Sequence, residues 1–149
     1  MGNMGGSASA DINAPLEEVW AVVEDVLDAP NWQGGLLDME ALEKDSGGRP
    51  TLVETENDIK VRHVKTHVRF AYDGPERLTW TQEKGDLKSV EGSWVLEDLG
   101  DGRTRATYNL DADPGRMIGM LIRGPIEGAI RSMLVNSRPD ELKQRVEGG

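Results

Sequence analysis

Apolar and polar residues alternate through the middle of the chain, which is the pattern of β-strands that bury one face. The longest alternation runs from Val61 to Tyr72, with apolar residues on one side and charged residues or histidines on the other. A sheet with this pattern is covered on one side only. The pattern predicts seven strands, at Ser7–Ile12, Leu36–Glu43, Thr51–Asn57, Val61–Tyr72, Arg77–Glu83, Leu87–Leu99 and Thr104–Ala112.

A helical spacing of apolar residues follows Pro15 and predicts a first helix. The apolar residues at this spacing are Val19, Val22, Val23 and Val26. Pro15 suits the first turn, because its missing N–H would have no partner there. We expect Asn13 to cap this helix and Asp28-Ala29-Pro30 to end it.

From Arg116 onward the apolar residues again follow a helical period, which predicts a long C-terminal helix. The residues on its apolar side are Met117, Met120, Leu121, Ile126, Ile130, Met133, Leu134, Leu142 and Val146. Pro125 and Pro139 interrupt it, because each removes a backbone donor and clashes with the preceding turn. We therefore expect either two kinks, or a shorter helix before Gly124 and a longer one after it.

The order of elements is strand, helix, six strands and helix, which predicts an α+β fold. Consecutive hairpins favour antiparallel pairing, and Gly92 inside a strand predicts a bend or bulge in a curved sheet. A length of 149 residues indicates one domain over residues 1–149. Residues 1–6, rich in glycine, are expected to form a flexible tail.

Composition excludes several classes of function. The formal net charge of −10 disfavours binding to nucleic acid and to anionic membrane surfaces. No apolar run approaches the roughly 18 residues of a membrane span, so we expect no integral membrane association. The absence of cysteine and of a signal-peptide pattern favours a cytoplasmic protein.

The sequence offers little support for metal, cofactor or nucleophilic chemistry. His63 and His67, the only histidines, are predicted to stand about 13 Å apart on the outward face of one strand, so no metal site is expected. An outward histidine also cannot serve as base for a buried serine nucleophile. The glycine pairs lack the strand–helix setting of a phosphate cradle, and no facing pair of carboxylates is apparent. We predict no cofactor.

What remains is an apolar inner surface with a few hydroxyls and indoles. Its predicted lining is Val64, Thr66, Val68, Phe70, Tyr72, Trp80, Trp94 and Tyr108 from the strands, with Met117, Met120 and Leu121 from the C-terminal helix. Periodicity alone favours an ordinary filled core over a cavity. Tyr72 and Tyr108 are the candidate acid–base residues, because no inward His, Asp, Glu or Arg is apparent.

Four stretches, taken in order, resemble the START-related polyketide cyclase/dehydrase and lipid transport superfamily, also called SRPBCC. They are Ile12–Trp20, Pro30-Asn31-Trp32, the last hairpin (Gly92–Leu96 with Gly102–Tyr108) and Asp140–Glu147. The resemblance implies a helix-grip fold, in which a seven-stranded curved antiparallel sheet wraps around a long C-terminal helix. It also implies a cavity between the two.

Three functions remain open. The first is binding or transport of a small apolar or amphipathic ligand (a lipid, an isoprenoid quinone or a polyketide-like aromatic) admitted near the glycine-rich segment Trp32–Gly35. The second is a polyketide cyclase, aromatase or dehydratase that uses Tyr72 or Tyr108. The third is a protein-interaction module with a vestigial cavity. The sequence leaves the oligomeric state, monomer or dimer, undecided.

Overall fold

A computed structural model describes residues 4–148. Seven strands of this region form one antiparallel sheet in the order β1-β7-β6-β5-β4-β3-β2. The strands are β1 (Gly6–Ile12), β2 (Leu36–Lys44), β3 (Pro50–Asp58), β4 (His63–Asp73), β5 (Arg77–Gly85), β6 (Ser89–Gly100) and β7 (Arg103–Asp113). All seven predicted strands are confirmed, with bounds that differ by one or two residues.

Helical segments lie before β2 and after β7, as the α+β prediction requires. They are α1 (Leu16–Glu24), a 3₁₀ helix (Val26–Asn31), α2 (Gly115–Leu121), α3 (Pro125–Arg131), a π-helical turn (Ser132–Asn136) and α4 (Arg138–Gly148). In the described region no helix combines the length and the apolar content that crossing a bilayer demands.

The alternation in β4 determines which face of the sheet is buried. Val64, Thr66, Val68 and Phe70 are buried, and the residues between them are exposed or partly exposed. The helices cover the buried face, where α4 packs against β1, β7 and α1. One apolar core therefore joins the sheet to the helices.

The first helix begins where the sequence predicts it but is capped and ended differently. Pro15 precedes its first residue, and no side chain caps the helix. The prediction of Asn13 as cap is therefore wrong, and the Asn13 N–H instead donates to Glu147 Oε2 at 2.8 Å. The α-helix ends at Glu24, and the 3₁₀ helix that follows contains Pro30.

The C-terminal region consists of the short helix α2 and, after a turn, one long helical stretch made of α3, the π-helical turn and α4. Gly124 adopts a positive φ of 76°, which turns the chain between α2 and α3. Pro125 is then the first residue of α3, where a missing N–H is tolerated. Pro139 likewise lies in the first turn of α4, after the π-helical turn. The prediction of a shorter helix before Gly124 and a longer one after it is therefore confirmed, and the π-helical turn is the irregularity within the longer one.

Residues 4–6 belong to the folded domain. Met4 is 1% exposed and its N–H donates to Ala112 O at 2.7 Å. Gly6 begins β1. The predicted flexible tail is therefore wrong for these three residues, and the rest of it, residues 1–3, lies outside the described residues.

Gly92 makes space for a side chain and forms no bulge. The pairing of β6 with β5 and with β7 continues without a register shift at Gly92. A Cβ atom added there would overlap the indole of Trp80, its partner on β5. The register irregularities occur elsewhere, within β2, at His67/Val68 in β4 and at Asp98/Gly100 in β6.

Candidate functional site

A cavity lies between the inner face of the sheet and the helical segments. Its volume is about 120 Å³, which is roughly ten times the space that one water molecule needs. Strands β2 to β7 supply most of the walls, and the 3₁₀ helix, the loop after it and the π-helical turn close the other side. The gap between sheet and helices is therefore not filled.

Most of the lining predicted from the strands is present. The predicted residues found in the cavity wall are Val64, Thr66, Val68, Phe70, Trp80, Trp94 and Tyr108. Four predicted residues do not line it: Tyr72, Met117, Met120 and Leu121.

Tyr72 points to the start of β3 rather than into the cavity. Its hydroxyl donates to Pro50 O at 2.5 Å, and the Arg49 guanidinium lies 4.5 Å from the centre of its ring. Burial raises the pKa of Tyr72 to about 12. The hydroxyl is bound to the first residue of β3, outside the cavity, so the assignment of Tyr72 as a cavity or acid–base residue is wrong.

The three predicted helix residues lie on the outer surface. Met117, Met120 and Leu121 are 80%, 61% and 55% exposed. They are exposed because of the orientation of α2. The buried residues here are Ile118 and Ile122, which lie four positions apart and therefore on the same side of the helix. The residues at the neighbouring positions therefore face away from the sheet.

A row of aromatic rings crosses the cavity wall. The ring centres of Trp32 and Trp94 are 6.3 Å apart, and those of Trp94 and Tyr108 are 4.8 Å apart. Trp80 follows Tyr108 at 5.6 Å, and Phe70 follows Trp80 at 5.9 Å. These distances are typical of favourable aromatic pairs. The contacts join the five rings into one continuous row, in which neighbouring rings are tilted by 36° to 60°.

Hydroxyls in the lining are paired with one another. Thr55 Oγ1 and Thr66 Oγ1 are 2.8 Å apart in a buried hydrogen bond across β3 and β4. The Asn57 amide donates to Thr55 Oγ1 at 3.3 Å. These groups satisfy each other inside the wall, as buried polar groups generally do.

Arg138 is a charged residue of the cavity wall that sequence reasoning missed. It lines the cavity at the start of α4 and is 2% exposed. Its Nη1 donates to Gly34 O at 3.0 Å and to Glu141 Oε1 at 2.7 Å. Its guanidinium carbon lies 5.7 Å from the centre of the Tyr108 ring. The expectation that no arginine faces inward is therefore wrong.

The same ion pair fastens the glycine-rich loop before β2. The Gly34 N–H donates to Glu141 Oε2 at 2.9 Å, while the Gly34 carbonyl accepts from Arg138. Gly35 continues the turn with a positive φ of 82°. The segment expected to admit a ligand is thus held to α4 by two hydrogen bonds, one at the N–H of Gly34 and one at its carbonyl.

The environment of Tyr108 favours its protonated form. Burial raises the pKa of its phenol, and the nearby charge of Arg138 only partly opposes this. The phenol therefore stays protonated at neutral pH. This limits Tyr108 to the acid half of the acid–base role that the sequence suggested.

The histidines lie outside the cavity. His63 Nδ1 is 3.2 Å from Glu56 Oε2, and His67 Nε2 is 2.9 Å from Glu54 Oε2, both between β4 and β3. This outward placement agrees with the sequence prediction. Within residues 4–148, no three His, Asp or Glu side chains are grouped as metal ligands.

Comparison with known proteins places the chain in a family. Residues 6–147 match the family described as polyketide cyclase/dehydrase and lipid transport. The chain belongs to this family. A search of curated proteins finds no match.

Solved structures from several organisms have the same START-like helix-grip fold. A START superfamily protein from Mycobacterium smegmatis is 19% identical, with a TM-score of 0.81 over 97% of each chain. The protein TTHA0849 from Thermus thermophilus is 20% identical, also with a TM-score of 0.81 over 97% of each chain. The ZhuI aromatase/cyclase from Streptomyces sp. R1128 is 20% identical, with a TM-score of 0.66 over 98% of this chain and 83% of its own. At these identities the likeness concerns the fold alone.

Proposed function

We propose that this protein binds a small apolar or amphipathic molecule in the cavity between the sheet and the helices. The observation that carries the proposal is the unfilled cavity with aliphatic and aromatic walls. Burial of an apolar ligand there contributes about 25 cal/mol per Å², before the costs of association. A lipid, an isoprenoid quinone or a polyketide-like aromatic meets this requirement, and the family description includes lipid transport.

Native mass spectrometry of the purified protein tests occupancy directly. Tryptophan fluorescence provides the titration signal for added ligands, because Trp32, Trp80 and Trp94 all line the cavity. A panel of apolar aromatic and acyl-chain probes should show saturable quenching. Absence of any bound or titratable compound from the panel would contradict the proposal.

A cavity-blocking variant shows where such a probe binds. Val68→Phe places a ring inside the cavity, because Val68 is buried in its wall. We expect the affinity of a probe to fall at least about ten-fold. Thr81→Phe adds the same ring at an exposed position on β5 and should leave affinity unchanged. Met117→Ser is a second control, at an exposed residue of α2.

A second candidate function is cyclisation or dehydration of a polyketide-like substrate. The observation that favours it is the protonated Tyr108 phenol beside Arg138 in the cavity. Such a phenol donates a hydrogen bond or a proton to a substrate carbonyl as negative charge develops on its oxygen. With a linear poly-β-ketone thioester as substrate, Tyr108→Phe should reduce product formation about 100-fold or more while binding persists. Tyr72→Phe, outside the cavity, should have no such effect.

The remaining predictions rest on composition. A filled core would have favoured the protein-interaction module, whereas the open cavity favours ligand binding. Exclusion of nucleic acid follows from the net charge of −10. A cytoplasmic location stays a prediction.

A further inference from the structure

The short helix α2 has apolar side chains on both of its sides. Ile118 and Ile122 are buried in the core, whereas Met117, Met120 and Leu121 are 80%, 61% and 55% exposed. No other large apolar side chain in residues 4–148 is as exposed as these three. They occupy positions i, i+3 and i+4, so they form one apolar strip along the outer side of the helix. A helix whose outer side meets only water carries polar residues there, so the strip indicates a surface that something covers.

Two arginines adjoin the apolar strip. Arg116 and Arg123 are exposed, and together with Met120 they line one surface groove beside α2. Neither arginine forms an ion pair within the described part of the chain. Their charges are therefore available to an anionic partner that reaches the strip.

The acidic residues of the same groove already have basic partners. Asp113 lies 3.9 Å from Lys88 Nζ, and Glu127 lies 4.0 Å from a guanidinium nitrogen of Arg131. No acidic residue occurs between Asp113 and Glu127 in the sequence. The surface around α2 is therefore locally basic.

This local charge opposes the net charge of −10 of the whole chain. At physiological ionic strength charges are screened over about 8 Å, while a chain of this length has a radius of gyration of about 15 Å. A surface that touches α2 therefore interacts mainly with the charges beside α2. The acidic groups on distant parts of the molecule favour this orientation over the others.

We propose that α2 docks the protein on the surface of a lipid bilayer that contains anionic lipids. The apolar strip enters the boundary between head groups and acyl chains, and the two arginines contact lipid phosphates. A bilayer fits better than a folded partner, because a seven-residue helix offers far less than the roughly 20 residues a side of a stable protein interface. A second copy of the chain would bring the arginines of both copies together, where they repel each other.

The docking surface adjoins one end of the cavity. Leu87 and Ala112 line the cavity, and the residues that follow them, Lys88 and Asp113, line the groove beside α2. Docking would therefore bring this end of the cavity next to the bilayer. The inference goes beyond the proposed function, because it rests on the outer surface of α2 and does not require an occupied cavity.

Partition of the full chain between water and vesicles tests the proposal. One vesicle type contains phosphatidylcholine alone, the other equal parts of phosphatidylcholine and phosphatidylglycerol, and flotation measures the bound fraction. We expect binding to the mixed vesicles to be about ten-fold stronger, because each arginine near an anionic surface contributes about five-fold.

A variant without the apolar strip assigns the binding to α2. Met117→Ser/Met120→Ser/Leu121→Ser should weaken binding to mixed vesicles at least about ten-fold, because it removes the apolar area that enters the bilayer. The matched control is Leu37→Ser/Leu42→Ser, which changes exposed apolar residues of β2 and should bind vesicles like wild type.

A second pair of variants tests the charge. Arg116→Gln/Arg123→Gln should remove most of the preference for mixed over phosphatidylcholine vesicles. Lys44→Gln/Arg77→Gln removes the same charge from exposed residues at the opposite end of the sheet and should keep the preference. Circular dichroism checks that each variant is folded.

The outcomes separate this inference from the proposed function. Absence of wild-type binding to both vesicle types, equal binding to both, or unchanged binding of the triple serine variant overturns the inference. Losses as large in the control variants also overturn it. Self-association that the triple variant abolishes, without vesicle binding, overturns it as well and assigns the strip to a second copy. Each of these results leaves the cavity proposal intact, because an apolar probe should bind the triple variant as it binds wild type when no vesicles are present.

Discussion

Gly92 and Trp80 show how single residues shape the cavity. They face each other on β6 and β5, and the indole occupies the space that a Cβ at Gly92 would fill. The Trp80 ring in turn contacts Tyr108 and Phe70. A glycine on one strand thus positions an aromatic residue of the next, and through it the aromatic row.

Substitution of Gly92 by alanine should therefore destabilise the protein. The methyl group would displace Trp80, and such overpacking costs about 1–3 kcal/mol. Urea unfolding gives the change, and tryptophan emission reports any movement of the ring. Gly128→Ala, in α3 with nothing near its Cβ position, should instead stabilise by about 0.5–1 kcal/mol. Equal effects of the two variants would contradict this account of Gly92.

Tyr72 predicts a dependence of stability on alkaline pH. Burial raises its folded pKa to about 12 from an ordinary value of 10.0. Because the folded pKa is the higher one, the contribution of Tyr72 is complete below pH 10 and is lost as the pH rises from 10 to 12. Tyr72→Phe, which lacks the bond to Pro50, should be less stable than wild type by about 1 kcal/mol below pH 10.

The test is the difference between the two unfolding free energies as a function of pH. We expect it to shrink across the alkaline range, since only the wild type carries the ionising phenol at this position. A difference that stays constant or grows would show that the pKa of Tyr72 is not raised by folding.

At the scale of elements, the break-up of the C-terminal helix decides where its residues point. Gly124 turns the chain, so α2 is separated from α3 and buries only Ile118 and Ile122. The start of α4 then reaches the cavity with Arg138, and Glu141, one turn later, contacts the glycine loop. A continuous helix would have required a different set of inward residues.

Loss of Glu141 should weaken this junction strongly. Glu141→Ala leaves the buried Arg138 cation without its carboxylate and removes the acceptor of the Gly34 N–H. Breaking a buried ion pair at one partner costs about 3 kcal/mol. The matched control is Glu127→Ala in α3, whose pair with Arg131 is about one-third exposed, and it should cost about 0.5 kcal/mol. Urea unfolding of both variants measures the contrast, and similar losses would contradict the assignment.

At the scale of the molecule, the cavity is built from parts that are distant in sequence. Ala29 and Trp32 come from the N-terminal half, while Leu134 and Arg138 come from the C-terminal segments. The strands between them form the opposite wall. A ligand that fills the space therefore contacts several elements at once and stabilises them together.

Hydrogen exchange should detect this global effect. With an apolar aromatic probe bound, we expect slower amide exchange both near residues 29–36 and near residues 134–141, which line the same cavity or hold its wall. Amides of α2, whose exposed side carries Met117 and Met120, should change little. Protection confined to α2 would place the ligand on the outer surface and contradict the cavity site.

The sequence by itself determined the strands, their antiparallel pairing and most of the inward set on the sheet. Val64, Val68, Trp80 and Trp94 were predictable because a strand has a fixed period of two, so the pattern assigns each side chain to a face. The resemblance at the two ends of the chain added the closing helical region. The outward placement of the two histidines followed from the same alternation.

Only the tertiary structure decided the polar end of the cavity. Helical periodicity assigns residues to a side of one helix, but it does not show where a glycine turn will break and redirect that helix. Met117 and Leu121 were therefore misplaced. The burial of Arg138 was not predicted because it depends on the Gly34 carbonyl, 104 residues away in sequence, as well as on the nearby Glu141. No local pattern records such a partner, since the charge is acceptable in the interior only once the whole fold has brought these groups together.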